Sequence, residues 1–251
     1  MLCLMLNSLC RFMRNMAALF LLGLTVAACS TVGPGEINDP QEASNRKVHN
    51  FNKAFDRSVV SPIAEVYGAT VPKRADNAIS NFAAHIAIPG EIVNSILQLN
   101  IQDAIVNTIR FSVNTVFGLG GMYDFATVAG MEEKVNTDFG ETLYVWGVPE
   151  GEYVVIPFYG GSTERDAYGL VVDLVMDPMQ RIFPGATRKI TFPAYIIDKI
   201  GDRHQYADVI NGILYDSEDS YTTTRSIKLQ NRRYKLNDGV VIDNLEDPYA
   251  N

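Results

Sequence analysis

From residue 93 the chain places an apolar side chain at every fourth position: Val93, Leu97, Ile101, Ile105, Ile109, Val113 and Phe117. The next stripe, Asn94, Gln98, Gln102, Val106, Arg110 and Asn114, is polar with one exception. That spacing predicts amphipathic helix. An i+4 stripe drifts about 40° per step around a helix, so the whole stripe would rotate by about 240°. No straight face accommodates that, so the stretch 89–117 is expected to bend or break. Asn100 is the expected place, because Asn100-Ile101-Gln102-Asp103 has the form of a helix cap.

Other helices follow from their start signals. In Asp39-Pro40-Gln41-Glu42, Asp39 can cap, Pro40 suits the first helical position and Glu42 sits where a capping-box acid belongs. This helix is expected to reach about Ser58, with Phe51 and Phe55 on one face. Pro62 and Pro72 punctuate two more short helices. A short helix is expected from Thr137 to Val145, and a turn at Gly147, Pro149 and Gly151. Tyr153-Val154-Val155-Ile156 has the composition of an extended segment. Thr163-Glu164-Arg165-Asp166 opens a helix toward Met176. A helix near 187–199 and a longer one from about Asp202 to Leu229 complete a mainly α reading. Residues 231–251 carry Arg232 and Arg233, then several acids, and show no apolar period. They read as a mobile tail.

Composition sharpens this. The chain has 251 residues and is 47% hydrophobic, enough for a buried core and too apolar for disorder. Its net charge of −8 argues against nucleic acid as a partner, which would need a basic face. Its three cysteines, Cys3, Cys10 and Cys29, all lie near the N-terminus, so the body has neither a disulfide framework nor a cysteine-ligated zinc site.

Residues 1–28 contain Arg11 and Arg14, no acid, and an apolar run from Ala17 to Ala28. They read as an export signal, because the run is too short for the roughly 20 residues of a spanning helix. It ends in Val26-Ala27-Ala28-Cys29, which resembles the bacterial lipobox, with Cys29 as the lipidated residue. By analogy with enterobacterial sorting, Ser30 points to the outer membrane. The true start could equally be Met13 or Met16. Removing residues 1–28 leaves 19 basic and 29 acidic residues, a net charge of −10.

Candidate chemistry is sparse. The histidines, His49, His85 and His204, lack the spacing of a zinc helix, and no Gly-x-Ser-x-Gly is present. His204 in Asp202-Arg203-His204 reads as part of a surface helix start, and Ser162 as a helix cap. Gly118-Leu119-Gly120-Gly121 is a flexible joint, and without a following Gly-Lys-Ser/Thr it is no phosphate loop. Neither a metal site nor a cofactor site is expected. Periodicity alone leaves two placements open for 89–117: a helix pair in a soluble core, which it favours, or one in a membrane interface plane. A spanning placement is disfavoured, since Asp103 and Arg110 would each cost about 3 kcal/mol at the bilayer centre.

Several segments together resemble the VacJ/MlaA lipoprotein family. They are Asn38-Asp39-Pro40-Gln41-Glu42 with Asn45-Arg46 and Asn50-Phe51-Asn52; Phe117 to Asp124; Asp138 to Leu143 with Trp146-Gly147-Val148; and Tyr153-Val154 to Pro157-Phe158-Tyr159-Gly160 with Arg165-Asp166. The resemblance covers roughly residues 38–220 and the lipobox. It departs at His49, where an apolar residue is usual, and in the C-terminal tail.

The resemblance implies a ring-like arrangement of amphipathic helices embedded in one leaflet, the inner leaflet of the outer membrane, with a central amphipathic channel. It implies removal of misplaced phospholipid from the outer leaflet, delivery to a soluble periplasmic phospholipid carrier, and company with trimeric porins. No covalent chemistry is implied. It reverses the preference for a soluble core, so that Val93, Leu97, Ile101, Ile105, Ile109, Val113 and Phe117 would face the membrane. Gly118, Gly120, Gly121 and Asp124 would form a channel gate loop, and Asn50, Phe51 and Asn52 would control the channel from the first helix. The expected organisation is signal 1–28, lipidated tether 29–38, helical domain 39–230 and tail 231–251. A membrane-anchored lipid hydrolase and a passive envelope anchor are the alternatives.

Overall fold

The computed structural model describes residues 37–179 and 185–237. The expected signal, Cys29, nearly all of the tether and the chain beyond 237 lie outside the described residues.

The first helix, α1 (Glu42–Phe55), continues through a π-turn (Asp56–Val60) into α2 (Ser61–Thr70). Pro62 follows just after the π-turn, so its missing N–H falls inside a continuous helical run. Asp39 does not cap α1. Gln41 takes the cap position, and the Asp39 carboxylate instead accepts from Asn45 at 2.9 Å and Arg225 at 2.6 Å.

Pro72 opens not a short helix but a long one, α3 (Lys73–Leu97), which runs through Pro89. The expected break then falls in place. Leu99 takes a left-handed φ of 61°, and the Asn100 side chain accepts from the Asp103 N–H at the start of α4 (Ile101–Val116). Two short helices follow, α5 (Phe125–Val128) and α6 (Phe139–Val145), capped by Asp124 and Asp138. Tyr153–Ile156 is β1, paired antiparallel with β2 (Gly160–Thr163). Thr163, rather than Ser162, caps α7 (Glu164–Met176), and Ser162 is a buried strand residue.

The expected helix near 187–199 extends over α8 (Ala186–Gln205), so His204 lies at a helix end and not at a start. The helix expected from Asp202 to Leu229 is interrupted. Short α9 (Ala207–Asn211) and a π-turn (Gly212–Asp216) precede an extended Ser217, and Asp219 then caps α10 (Ser220–Leu236). Six residues of the expected tail are therefore helix.

Contacts between elements run in a closed circuit: α1 to α2, α2 to α8, α8 to α3, α3 to α6, α6 to α7, α7 to the hairpin, and the hairpin back to α1. The architecture is mainly helical and ring-like. Among the described residues no helix is long and apolar enough to cross a membrane.

Helix α10 braces the circuit with charge. Arg46 on α1 grips Asp219 through two bonds of 2.9 and 2.7 Å. Arg225 reaches Asp39 and Glu42. Arg232 binds both oxygens of Asp138 and both of Asp166, all within 2.7–3.0 Å. Arg233 adds a two-bond pair with Glu150. Burial pushes the Asp138 carboxyl up, but Arg232 outweighs it and leaves the group below its ordinary range. The two arginines assigned to a tail from sequence thus tie α10 to α6, α7 and the turn before the hairpin.

Removing one partner of such a buried pair strands the others. Arg232→Ala is expected to cost about 3 kcal/mol, read as a lower urea midpoint at unchanged slope. A loss within experimental error would show that α10 does not brace the ring.

Candidate functional site

The amphipathic stripe of α4 is real, but its polar side faces the protein. Ile101, Ile105, Ile109, Val116 and Phe117 are exposed, while Asn107 and Arg110 are 0% and 3% exposed and Asn114 is buried. Of the residues expected to face a membrane, Val93, Leu97 and Val113 are half-buried. Sequence reasoning passed over exposed Ile96, Leu99 and Leu119 beside them. It also missed Val171, Leu174 and Val175 on α7, and Ile190, Phe192, Tyr195 and Ile196 on α8. Among the described residues more polar and charged side chains are buried than apolar ones, which inverts the usual soluble pattern.

Each buried polar group of α4 has work to do. The Asn107 amide donates to the Val135 carbonyl at 2.8 Å and accepts from the Val135 N–H at 3.1 Å. Arg110 donates to both oxygens of Asp124 at 2.9 Å, to Thr127 and to the Glu132 carbonyl. Asn114 donates to Asp124 and accepts from the Ala126 N–H. One face of α4 therefore clasps the irregular segment 124–135, whose backbone would otherwise be buried without partners.

The glycine joint sits at the end of that clasp. Leu119, Gly120 and Gly121 all have positive φ, at 55°, 70° and 93°. A Cβ on Gly121 would fall 2.2 Å from the His85 ring, whereas one on Gly120 would meet nothing within 4 Å. His85 is itself buried, stacked on Phe111 at 4.6 Å and bonded to Thr115. Burial holds its pKa below the ordinary histidine value, with Asp124 pulling the other way. Asp124 is the anchor of the joint rather than a free carboxylate. Partial burial pushes its pKa up, but Thr127, Asn114 and Arg110 keep it low.

Of the three first-helix residues, Asn50 is exposed and Phe51 half-exposed, while Asn52 is engaged. Its amide donates to the Ile156 carbonyl at 3.0 Å and accepts from the Phe158 N–H at 2.8 Å. Two turns earlier Asn45 does the same to Tyr153 and Val155, at 2.8 and 3.0 Å. Seven helical residues rise about 10.5 Å, and three strand residues span about 10 Å. Asn45 thus reads the free edge of β1, while Asn52 reads the turn that follows it, where the Ile156 carbonyl also accepts from the Tyr159 N–H. Phe51 and Phe55 pack against Phe158 at the hairpin tip, at 5.2 and 5.0 Å. Asn45 was visible in the sequence only as part of a motif.

Among the described residues no cluster of three His, Cys, Asp or Glu could hold a metal ion.

The sequence model of the MlaA lipoprotein family matches residues 37–235. The chain belongs to the MlaA lipoprotein family. The match takes in the glycine joint, the hairpin and α10 as far as Lys235. Relatives include the intermembrane phospholipid transport system lipoprotein MlaA of Haemophilus influenzae, 33% identical over 84% of both chains. The protein of the same name from Escherichia coli K12 is 31% identical over 90% of both chains. A solved structure, from work on the structural basis for maintenance of bacterial outer membrane lipid asymmetry, superposes with a TM-score of 0.69. It is 30% identical, and the alignment covers 79% of this chain and 98% of that one. Family membership agrees with the resemblance read from the sequence.

The geometry separates the two glycines. Gly120→Ala is expected to cost about 1 kcal/mol, from backbone strain alone. Gly121→Ala adds a collision with His85 and should cost about 1–3 kcal/mol more. Chemical denaturation of the two variants checks this, and equal losses would reject it. Valine at both positions would displace His85, so it confounds gating with stability.

Proposed function

We propose that this chain is an outer-membrane lipoprotein that removes misplaced phospholipids from the outer leaflet and passes them to a soluble periplasmic carrier. In doing so it maintains lipid asymmetry. The observation that carries the reading is the inverted amphipathicity of α4 and α7. Apolar side chains face outward on both, and the hydrogen-bonding groups of α4 are satisfied inward. In water, faces this apolar would be left unburied, at on the order of 1 kcal/mol for each half-exposed large side chain. Acyl chains provide the missing partner. Helices lying in the interface plane suit this, since no described helix is long enough to span.

The ring-like circuit gives the headgroup a polar route inside while the tails stay near lipid. Three groups on three elements support a central channel. Lys228 and Tyr159 are exposed, and the Asp138 side chain is 40% accessible. Yet all three are desolvated by the protein around them. In this reading the three groups line the polar route inside the ring.

The joint of Gly118, Gly120 and Gly121, anchored by Asp124, is the gate in this reading. Asn52 and Phe51 control the channel by fixing the hairpin and its tip, with Asn50 beside them. Cys29 carries the acyl anchor, which sets the inner leaflet as the seat of the ring. Trimeric porin is the membrane neighbour. The protein moves lipid without covalent chemistry, in keeping with its membership of a family of transport lipoproteins.

Loss of the gene is expected to raise outer-leaflet phospholipid and detergent sensitivity, and the wild-type chain should restore both. Unchanged outer-leaflet phospholipid would sink the proposal. Cys29→Ala should lower the outer-membrane fraction. Adding Ile105→Asp and Ile109→Asp should release the protein further, since each buried charge costs about 3 kcal/mol when facing hydrocarbon.

A further inference from the structure

Two cations of α10, Lys228 and Lys235, have no ion-pair partner among the described residues, and of these Lys228 has an aromatic ring beside it. Arg225, Arg232 and Arg233 are each held by carboxylates. Lys228 lies one turn before Arg232 and is exposed, and among the described residues it has no ion-pair partner. Its ammonium lies 5.8 Å from the centre of the Tyr159 ring, at the turn of the hairpin. Tyr159 is 48% exposed, and Tyr195 of α8 is near enough to act on its phenol electrostatically. Tyr195 is 47% exposed. Neither hydroxyl has a hydrogen-bond partner among the described residues. Three elements thus contribute an ammonium against the Tyr159 ring and a second phenol, that of Tyr195, within electrostatic reach.

We infer that Lys228, with Tyr159 and Tyr195, forms a binding site for the phosphodiester of a phospholipid headgroup.

The charge surroundings fit a singly charged anion. Asp138 and Asp166 attract Lys228, and Arg232 and Lys235 repel it. Both aspartates are clamped by Arg232, so their charge is largely answered before a ligand arrives. Lys199 lies over the Tyr195 ring, tied to Asp198 and Asp202. Lys228 remains the unpaired ammonium that sits against the Tyr159 ring. Surrounding protein desolvates it and holds its pKa below the ordinary lysine range, so an approaching phosphate restores the lost stabilisation of the charged form. Phe192 and Ile196 are exposed on the same helix as Tyr195, which gives the acyl tails an apolar surface next to the headgroup site. The inference rests on the transport reading and names where the cargo's phosphate is held.

The test uses the full lipoprotein in detergent micelles. Lys228 is labelled with an amine-reactive acetylating reagent and followed by peptide mass mapping. Phosphatidylglycerol should slow its labelling about tenfold, the equivalent of one charge-assisted hydrogen bond. Diacylglycerol, which lacks the phosphate, should leave it unchanged. Protection by inorganic phosphate alone, at the same strength, would make this a free-phosphate site and overturn the lipid assignment. Lys228→Met should weaken fluorescent phosphatidylglycerol binding about tenfold, and Lys228→Arg should retain most of it. If wild-type protein binds phosphatidylglycerol while Lys228 stays equally reactive, the headgroup site fails and the transport reading stands. If it binds no phospholipid, the transport reading itself fails.

Discussion

A protein that turns apolar side chains outward must seat its polar groups inside, and each group so buried needs a partner. That requirement organises this molecule. Asn107, Arg110 and Asn114 sit at helical spacing on α4, and each answers backbone or carboxylate groups of the segment that follows. Asp124 gathers Arg110, Asn114 and Thr127 at one point. Without that set, the irregular chain from 124 to 135 would bury unpaired carbonyls and N–H groups. The joint at Gly118–Gly121 would then have no fixed end.

The same logic acts between distant parts of the chain. Helix α10 is poor in apolar contacts, with only Tyr221 and Leu229 in the small core around Tyr153 and Val155. Its place is set by arginines reaching the first helix, the caps of α6 and α10, and the turn before the hairpin. Ion pairs of this kind are directional where apolar packing is not. A ring held by them keeps its geometry without a large central core, and so can remain open in the middle.

Much of the fold was legible because local signals agreed with it. The drift of the apolar stripe demanded a break, and Leu99 and Asn100 supply it. The start of α7 followed from its capping residue, and the motifs pointed to the family. Other features depend on contacts no local pattern reports. Asp39 has the form of a cap, yet is drawn away by Asn45 and Arg225. Arg232 and Arg233 looked like a solvated tail because their acidic partners lie between 66 and 94 positions away. Pro72 looked like punctuation between short elements, but its fixed φ begins a long helix and Pro89 fails to end it. The direction of the amphipathic stripe was the hardest feature, since periodicity gives the faces of a helix without saying which one is inside.

The amides of Asn45 and Asn52 carry a consequence beyond holding a strand. A two-stranded hairpin is normally indexed by its own turn, and its outer edge is open to other chains. Here a helix reads the hairpin at two points, Asn45 at the outer edge of β1 and Asn52 at the turn, each taking one carbonyl and one N–H. A slip of β1 by a single residue would present the wrong groups to both amides at once. The hairpin's register is thus stored in α1 as well as in the hairpin's own loop. Its edge is also closed to strand addition.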